Sequence, residues 1–265
     1  MSSFITEIKG TTVSWSKTGT GKPLLCLHGW GSSSTSFSPV TGRLQSVRTC
    51  YLPDFPGFGN SGKPKKPWTV SDYADATELF IKKHLPNEPF DLLVHSFGAR
   101  VAIKLLTRPE ISARIDKVIF TGAAGLIPKR SPKFYVKKYT AKLLKFPFLI
   151  LPEKLREKGL SRLRKSAVWK RLGSSDYQKL GGVMRQTFVN VVTEHLDDEL
   201  PKISHEILLI WGKDDLATPL EQAKRMEAGL KNSALVTIDH AGHYAFIDKP
   251  AQFAAIAIAY LEPAT

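Results

Sequence analysis

Six short apolar runs, most of them followed by a stretch of helical spacing, constrain this chain more than any other feature. They are Leu24–Leu27, Val47–Leu52, Phe90–Val94, Lys117–Thr121, Ile207–Trp211 and Leu235–Ile238. A continuous apolar run of four to six residues marks a strand covered on both faces, which is the situation of a parallel sheet between helices. Helical spacing follows at Thr35–Gln45, Val70–His84, Val101–Leu106, Ala223–Leu230 and Gln252–Leu261. Buried strands alternating with helices predict an α/β fold, a doubly wound and mainly parallel sheet. Ahead of it, Phe4–Ile8 and Thr11–Ser16 alternate apolar with polar around Gly10, as a hairpin does. Ser71 is the expected N-cap of the Val70–His84 helix, and Pro219 the expected first residue of the helix that follows it.

The rhythm breaks once. From Gly125 to about Leu200 there is no convincing buried strand, only helical stretches, prolines and cations. A helical insertion at 126–200 is expected there, between core segments 1–125 and 201–265. The charge belongs to it. Residues 126–185 hold 17 Lys or Arg against three Asp or Glu, so this one segment carries the whole formal charge of +14. The rest of the chain, with 21 residues of each sign, is neutral.

Four function classes are disfavoured at this stage. Two cysteines, Cys26 and Cys50, sit within strand-like runs without metal or redox spacing and read as buried, reduced thiols. No cofactor or metal is implied, since there is no phosphate-cradling glycine loop with a lysine and the histidines lack ligand spacing. The longest apolar run, Phe146–Pro152, falls far short of the ~20 residues that span a bilayer, and residues 1–10 do not look like a signal peptide, so the expected location is the cytoplasm. The basic segment matches no nucleic-acid fold motif.

The chemistry gathers where strands end. Val94-His95-Ser96-Phe97-Gly98 takes a buried strand directly into a helix, and such a tight turn pushes its middle side chain out at the carboxyl end of the sheet. Ser96 is therefore in a nucleophile's position. The glycine-flanked turn His28-Gly29-Trp30-Gly31 leaves backbone donors free, and the N–H groups of Trp30 and Phe97 are the candidate oxyanion hole. Asp214 and Asp215 follow the Ile207–Trp211 run; His240 and His243 follow the last strand.

The order Ser, Asp, His, with these motifs and with Asp54-Phe55-Pro56-Gly57-Phe58-Gly59-Asn60-Ser61, resembles the α/β-hydrolase fold superfamily over nearly the whole chain. The resemblance implies Ser96 as nucleophile, His243 as general base and Asp215 as the acid that orients it. Asp215 is preferred to Asp214 by its spacing from Trp211, and His243 to His240 because it follows a glycine. A serine at position 96 implies acyl transfer to water. The main expectation is hydrolysis of an ester or related bond of a small-molecule acyl substrate. The alternatives are C–C bond hydrolysis of anionic diketone-like acids and a weakly catalytic ligand-binding protein on the same scaffold. The insertion falls at the place of the family's cap domain. Its cations could attract anionic substrate, face anionic lipid, or only be solvated. One residue departs from the pattern: Val94 stands where the family has glycine, which predicts a crowded elbow.

Overall fold

The computed structural model describes residues 2–129, 132–166 and 180–262. Its centre is an eight-stranded sheet in the order β1-β2-β4-β3-β5-β6-β7-β8. The first two strands, β1 (Ser2–Ile8) and β2 (Thr11–Thr18), form the expected antiparallel hairpin, with Ile8 opposite Thr11. The two residues between them, Lys9 and Gly10, have φ of 50° and 69°, the left-handed pair that a tight hairpin turn requires. β2 also pairs antiparallel with β4 (Arg48–Pro53).

The remaining pairings are parallel, among β3 (Lys22–Leu27), β4, β5 (Phe90–His95), β6 (Ile115–Thr121), β7 (Ile207–Gly212) and β8 (Ser233–Ile238). Every residue of β4, β5 and β7 is buried, which is why Cys50–Leu52, Leu92–Val94 and Ile207–Trp211 are apolar without alternation.

From β3 the chain moves outward to β4; from β5 it moves the other way, to β6 and β7. The adjacent strands β3 and β5 therefore flank the switch point of the winding. The loops at their carboxyl ends diverge there and leave a crevice, the usual place for a ligand in such a sheet.

The helices of this unit are α1 (Ser38–Leu44), α2 (Val70–His84), α3 (Phe97–Leu106) and the short α4 (Pro109–Ser112). α2 starts one residue before Ser71. Its N-cap is Thr69, which accepts a hydrogen bond from the Asp72 N–H while the Asp72 carboxylate accepts from the Thr69 N–H. This reciprocal box satisfies two orphan donors at once, more than Ser71 alone offers from inside the first turn.

Cys26 and Cys50 are free and fully buried in the core with Leu24, Phe37, Leu52 and Phe246. Burial pushes the Cys26 thiol well above its ordinary pKa, so it packs as a small hydrophobe. At the opposite end of the sheet from the crevice, the fully buried Asp91 carboxylate accepts from Lys22 and from Arg48 Nε, each at 2.8 Å. Arg48 also reaches the carbonyl of Leu261, at 2.6 Å. One buried carboxylate thus ties together β3, β4, β5 and the chain's last helix.

The chain divides into two compact units. One comprises residues 1–127 and 186–265; the other is 128–185. The second unit contains α5 (Pro132–Leu149) and α6 (Glu153–Lys165). Within it the two helices meet where the Phe148 ring lies against Gly159, a position at which any side chain would collide with that ring. α7 (Gly182–Thr193) leads back to the sheet. Then come α8 (Leu220–Gly229), the short α9 (Ala245–Asp248) and α10 (Pro250–Leu261). Pro219 is the N-cap of α8 rather than its first helical residue; its ψ of 154° is extended, and the helix begins at Leu220. Among the described residues no helix is long and apolar enough to cross a membrane.

Candidate active site

Ser96 lies between β5 and α3 with φ 51° and ψ −109°, a conformation that non-glycine residues avoid. Holding a serine there costs roughly 1–3 kcal/mol, and the surrounding hydrogen bonds fix it. The Ser96 N–H donates to the Thr121 carbonyl at 3.1 Å, and the Ser96 carbonyl accepts from the N–H groups of Ala99 and Ala124 at 3.1 and 3.0 Å. Two glycines let the neighbouring loop approach. A Cβ on Gly98 would strike the Leu27 carbonyl, and one on Gly29 would come within 2.7 Å of His95 Nδ1 and 3.2 Å of Ser96 Cβ. Val94 does not prevent the turn. It is fully buried in β5, opposite Leu27 on β3 and Phe120 on β6, and the strained backbone follows two residues later.

The turn after β3 is closed by a hydrogen bond from the Ser32 N–H to the Gly29 carbonyl, with Gly31 at φ 72°. Trp30 occupies the first corner of that turn, where the N–H is not consumed by the turn itself. Phe97 opens α3, and first-turn N–H groups have no carbonyl partner within their helix. The two residues are in contact, their rings edge to face at 5.4 Å. Phe58, at 4.7 Å, and Phe188, at 5.3 Å, complete an aromatic wall around Trp30. Phe188 belongs to α7, far along the chain from Trp30.

His28 is spent on architecture. Its Nδ1–H donates to the Gly29 carbonyl at 2.8 Å, and its Nε2 accepts from the Phe55 N–H at 2.9 Å. Burial lowers its pKa to about 4, so it stays neutral and clamps the Trp30 turn to the Asp54 loop. Asp54 is structural in the same way: its carboxylate accepts from the N–H groups of Ser34 and Asn60 at 2.7 and 2.8 Å.

The loops after β7 and β8 are knit together. The Lys213 N–H donates to the Ile238 carbonyl, and the Asp214 N–H to that of Ala241. Gly212 is needed there, because a Cβ would run into the carbonyls of Ala241 and Gly242. This junction places the Asp215 Oδ2 2.8 Å from His243 Nδ1. Asp214 and His240 are exposed. The Asp215 side chain is fully buried, and each of its oxygens is satisfied. Oδ1 accepts from the Ala217 and Thr218 N–H groups, and Oδ2 from the Thr218 hydroxyl at 2.7 Å as well as from the imidazole. Burial opposes its ionisation, but the hydrogen bonds from His243 and Thr218 outweigh it and hold the carboxyl below its usual range.

Two contributors escaped sequence reasoning. Thr218 lies 3.3 Å from His243 Nδ1 as well as bonding Asp215, so Thr218, His243 and Asp215 form a triad-like cluster. Because Thr218 sits on the Nδ1 side of the ring, it supports the acid; the free face of the imidazole is at Nε2. His95, next to Ser96, is the second. Its Nε2–H donates to the carbonyl of His243 at 3.0 Å, and the two rings are 4.6 Å apart. Burial, together with the nearby imidazole of His243, lowers the His95 pKa to about 3. A neutral His95 thus holds the backbone of His243 beside the Ser96 turn. Ser96 and His243 themselves are not hydrogen-bonded here.

Comparison with known proteins identifies the fold family. Residues 22–250 match the family model described as alpha/beta hydrolase fold. The chain is 27% identical over 252 residues to a pimeloyl-[acyl-carrier protein] methyl ester esterase from Nitrosomonas europaea, covering 89% of this chain and 94% of that one. It is 24% identical over 252 residues to a 2-hydroxymuconate semialdehyde hydrolase from Pseudomonas sp. (strain CF600), covering 90% and 86%. Among solved structures, a meta-cleavage product hydrolase from Pseudomonas fluorescens IP01 superposes with a TM-score of 0.70 at 18% identity, over 97% of both chains. A carboxylate–imidazole pair at the carboxyl edge of this sheet is a hydrolase's equipment. The chain belongs to the α/β-hydrolase fold family.

Proposed function

We propose that the protein is a serine hydrolase that cleaves a C–C bond beside a carbonyl group in an anionic, diketone-like substrate. The observation that carries the hydrolytic part is the 2.8 Å bond between an ionised, buried Asp215 and His243 Nδ1, set at the sheet edge that also holds the strained Ser96. Ser96 Oγ attacks the carbonyl carbon while His243 Nε2 takes its proton. Asp215 keeps the imidazole in the Nδ1–H tautomer and stabilises the imidazolium. The oxyanion is received by the N–H groups of Trp30 and Phe97. The C–C bond then breaks; its electron pair leaves with the departing carbon, which takes the proton from His243. Water, deprotonated by His243, releases the acyl group from Ser96 as a carboxylic acid. A carbon leaving group needs a second carbonyl to delocalise its charge, hence the diketone-like substrate.

Likeness to the 2-hydroxymuconate semialdehyde hydrolase over most of both chains supports this bond type. The +14 charge of residues 126–185 supports the anionic character of the substrate. In this reading 126–200 is the cap of a core formed by 1–125 and 201–265. Likeness to the methyl ester esterase supports a second reading, ester hydrolysis with the same residues and an alcohol as leaving group. The test is turnover of 2-hydroxymuconate semialdehyde and of p-nitrophenyl esters from acetate to long acyl chains, on wild type and on Ser96→Ala. Faster Ser96-dependent turnover of the former is expected. Turnover of esters alone would install the second reading, and turnover that survives Ser96→Ala would overturn both.

A further inference from the structure

The second unit has a feature that hydrolysis does not use. On α5, Val136, Tyr139, Leu143 and Phe146 are 66%, 61%, 72% and 61% exposed. They follow one another at steps of three, four and three residues, which puts them on a single face of the helix. Phe148, whose ring lies against Gly159 of α6, points about half a turn away from that face at 100° per residue. The contact between the two helices therefore leaves the stripe uncovered. Ile150, 75% exposed, and Leu155, 56% exposed, extend the apolar surface beyond the helix.

The surroundings are cationic. α5 contains five lysines and no Asp or Glu, and α6 contains six Lys or Arg against two Glu. A helix with an exposed apolar stripe and charged residues that are all lysines has the make-up of one that lies in a membrane interface, its stripe among acyl chains and its cations among anionic headgroups. Five lysines in 18 residues exclude spanning. Charge also selects against the other obvious occupant: a second copy would bring another segment of +14 against the first.

We propose that α5 docks the protein on an anionic lipid surface, through Val136, Tyr139, Leu143 and Phe146. The test is co-sedimentation of the full chain with vesicles of phosphatidylcholine alone and with vesicles of an equal mixture of phosphatidylcholine and phosphatidylglycerol. Wild type should sediment with the anionic vesicles, much less with the neutral ones, and less again at high salt. Leu143→Glu/Phe146→Glu should lower the bound fraction at least about tenfold with its thermal midpoint unchanged, because these side chains support no packing. If that variant folds poorly, Tyr139→Ser/Leu143→Ser replaces it, with the same expectation. Wild type that stays in the supernatant would overturn the proposal, as would a folded variant that sediments like wild type. A wild-type dimer in light scattering that the variant dissociates would overturn it too, by assigning the stripe to a second copy.

Discussion

The sheet unit and the insertion solve opposite problems. In the sheet unit 21 cations face 21 anions, and charges are bound in pairs even where they are buried, as Asp91 is by Lys22 and Arg48. In the segment 126–185, 17 cations have three anions to share, and large apolar side chains are exposed. The first composition makes a paired, buried frame whose strand ends carry the bond between Asp215 and His243. The second makes a surface that is both cationic and apolar. The difference separates the two proposals: the catalytic assignment rests on the sheet unit and the lipid-docking assignment on the segment 126–185, so each can be broken without the other.

The largest effects should come from the frame's carboxyl edge. Asp215→Asn should lower kcat by about 10⁴-fold with the fold retained, since the imidazole loses both its orienting anion and its tautomer; steady-state kinetics and circular dichroism check this. Next is the frame's other end. Asp91→Ala leaves Lys22 and Arg48 without their shared buried partner and should cost about 3–5 kcal/mol of stability in urea unfolding. Turnover per folded molecule should be spared, which would separate frame from site.

Thr218→Val should cost about tenfold in kcat and little in KM, because a hydrogen bond to a charged group contributes about 1.5–3 kcal/mol. An unchanged kcat would remove Thr218 from the support of Asp215. Acid should loosen the frame specifically. An unfolded histidine takes a proton near 6.5, whereas native His28 and His95 refuse one until about 4 and about 3. Between those limits the unfolded chain binds more protons, so stability falls as pH drops below 6.5. Replacing His95 with Gln should flatten that slope in thermal unfolding measured at several pH values. The smallest effect is Val94→Gly. It should keep turnover, since the elbow already forms with valine, while losing stability through the cavity left in β5.

Much of the frame was legible because burial on both faces writes itself as apolar runs. Five of the six parallel strands and the place of Ser96 follow from that one signal; β8, at the sheet edge and half-exposed, shows only as a short apolar run. Boundaries were less legible where side chains compete for a cap: Thr69 displaced Ser71 by pairing with Asp72, and Pro219 capped α8 instead of entering it. The supports of the site were hidden because they act across the chain. The bond from His95 to His243 joins residues 148 positions apart, and Phe188 meets Trp30 only when α7 returns to the sheet. Sequence patterns with periods of two or 3.6 carry no trace of such contacts. The segment's cations left three readings open, anionic substrate, anionic lipid or solvent, and the exposure of Val136, Tyr139, Leu143 and Phe146 is a property of the fold that spacing alone does not give.

The most direct test of the central claim is covalent labelling with a fluorophosphonate, followed by peptide mass spectrometry of wild type, Ser96→Ala and Asp215→Asn. Wild type should gain a single adduct on the peptide carrying Ser96. Ser96→Ala should gain none, and Asp215→Asn should label far more slowly. An adduct on another residue, or labelling of Ser96 at the same rate without Asp215, would contradict the assignment of Ser96, His243 and Asp215 to one catalytic unit.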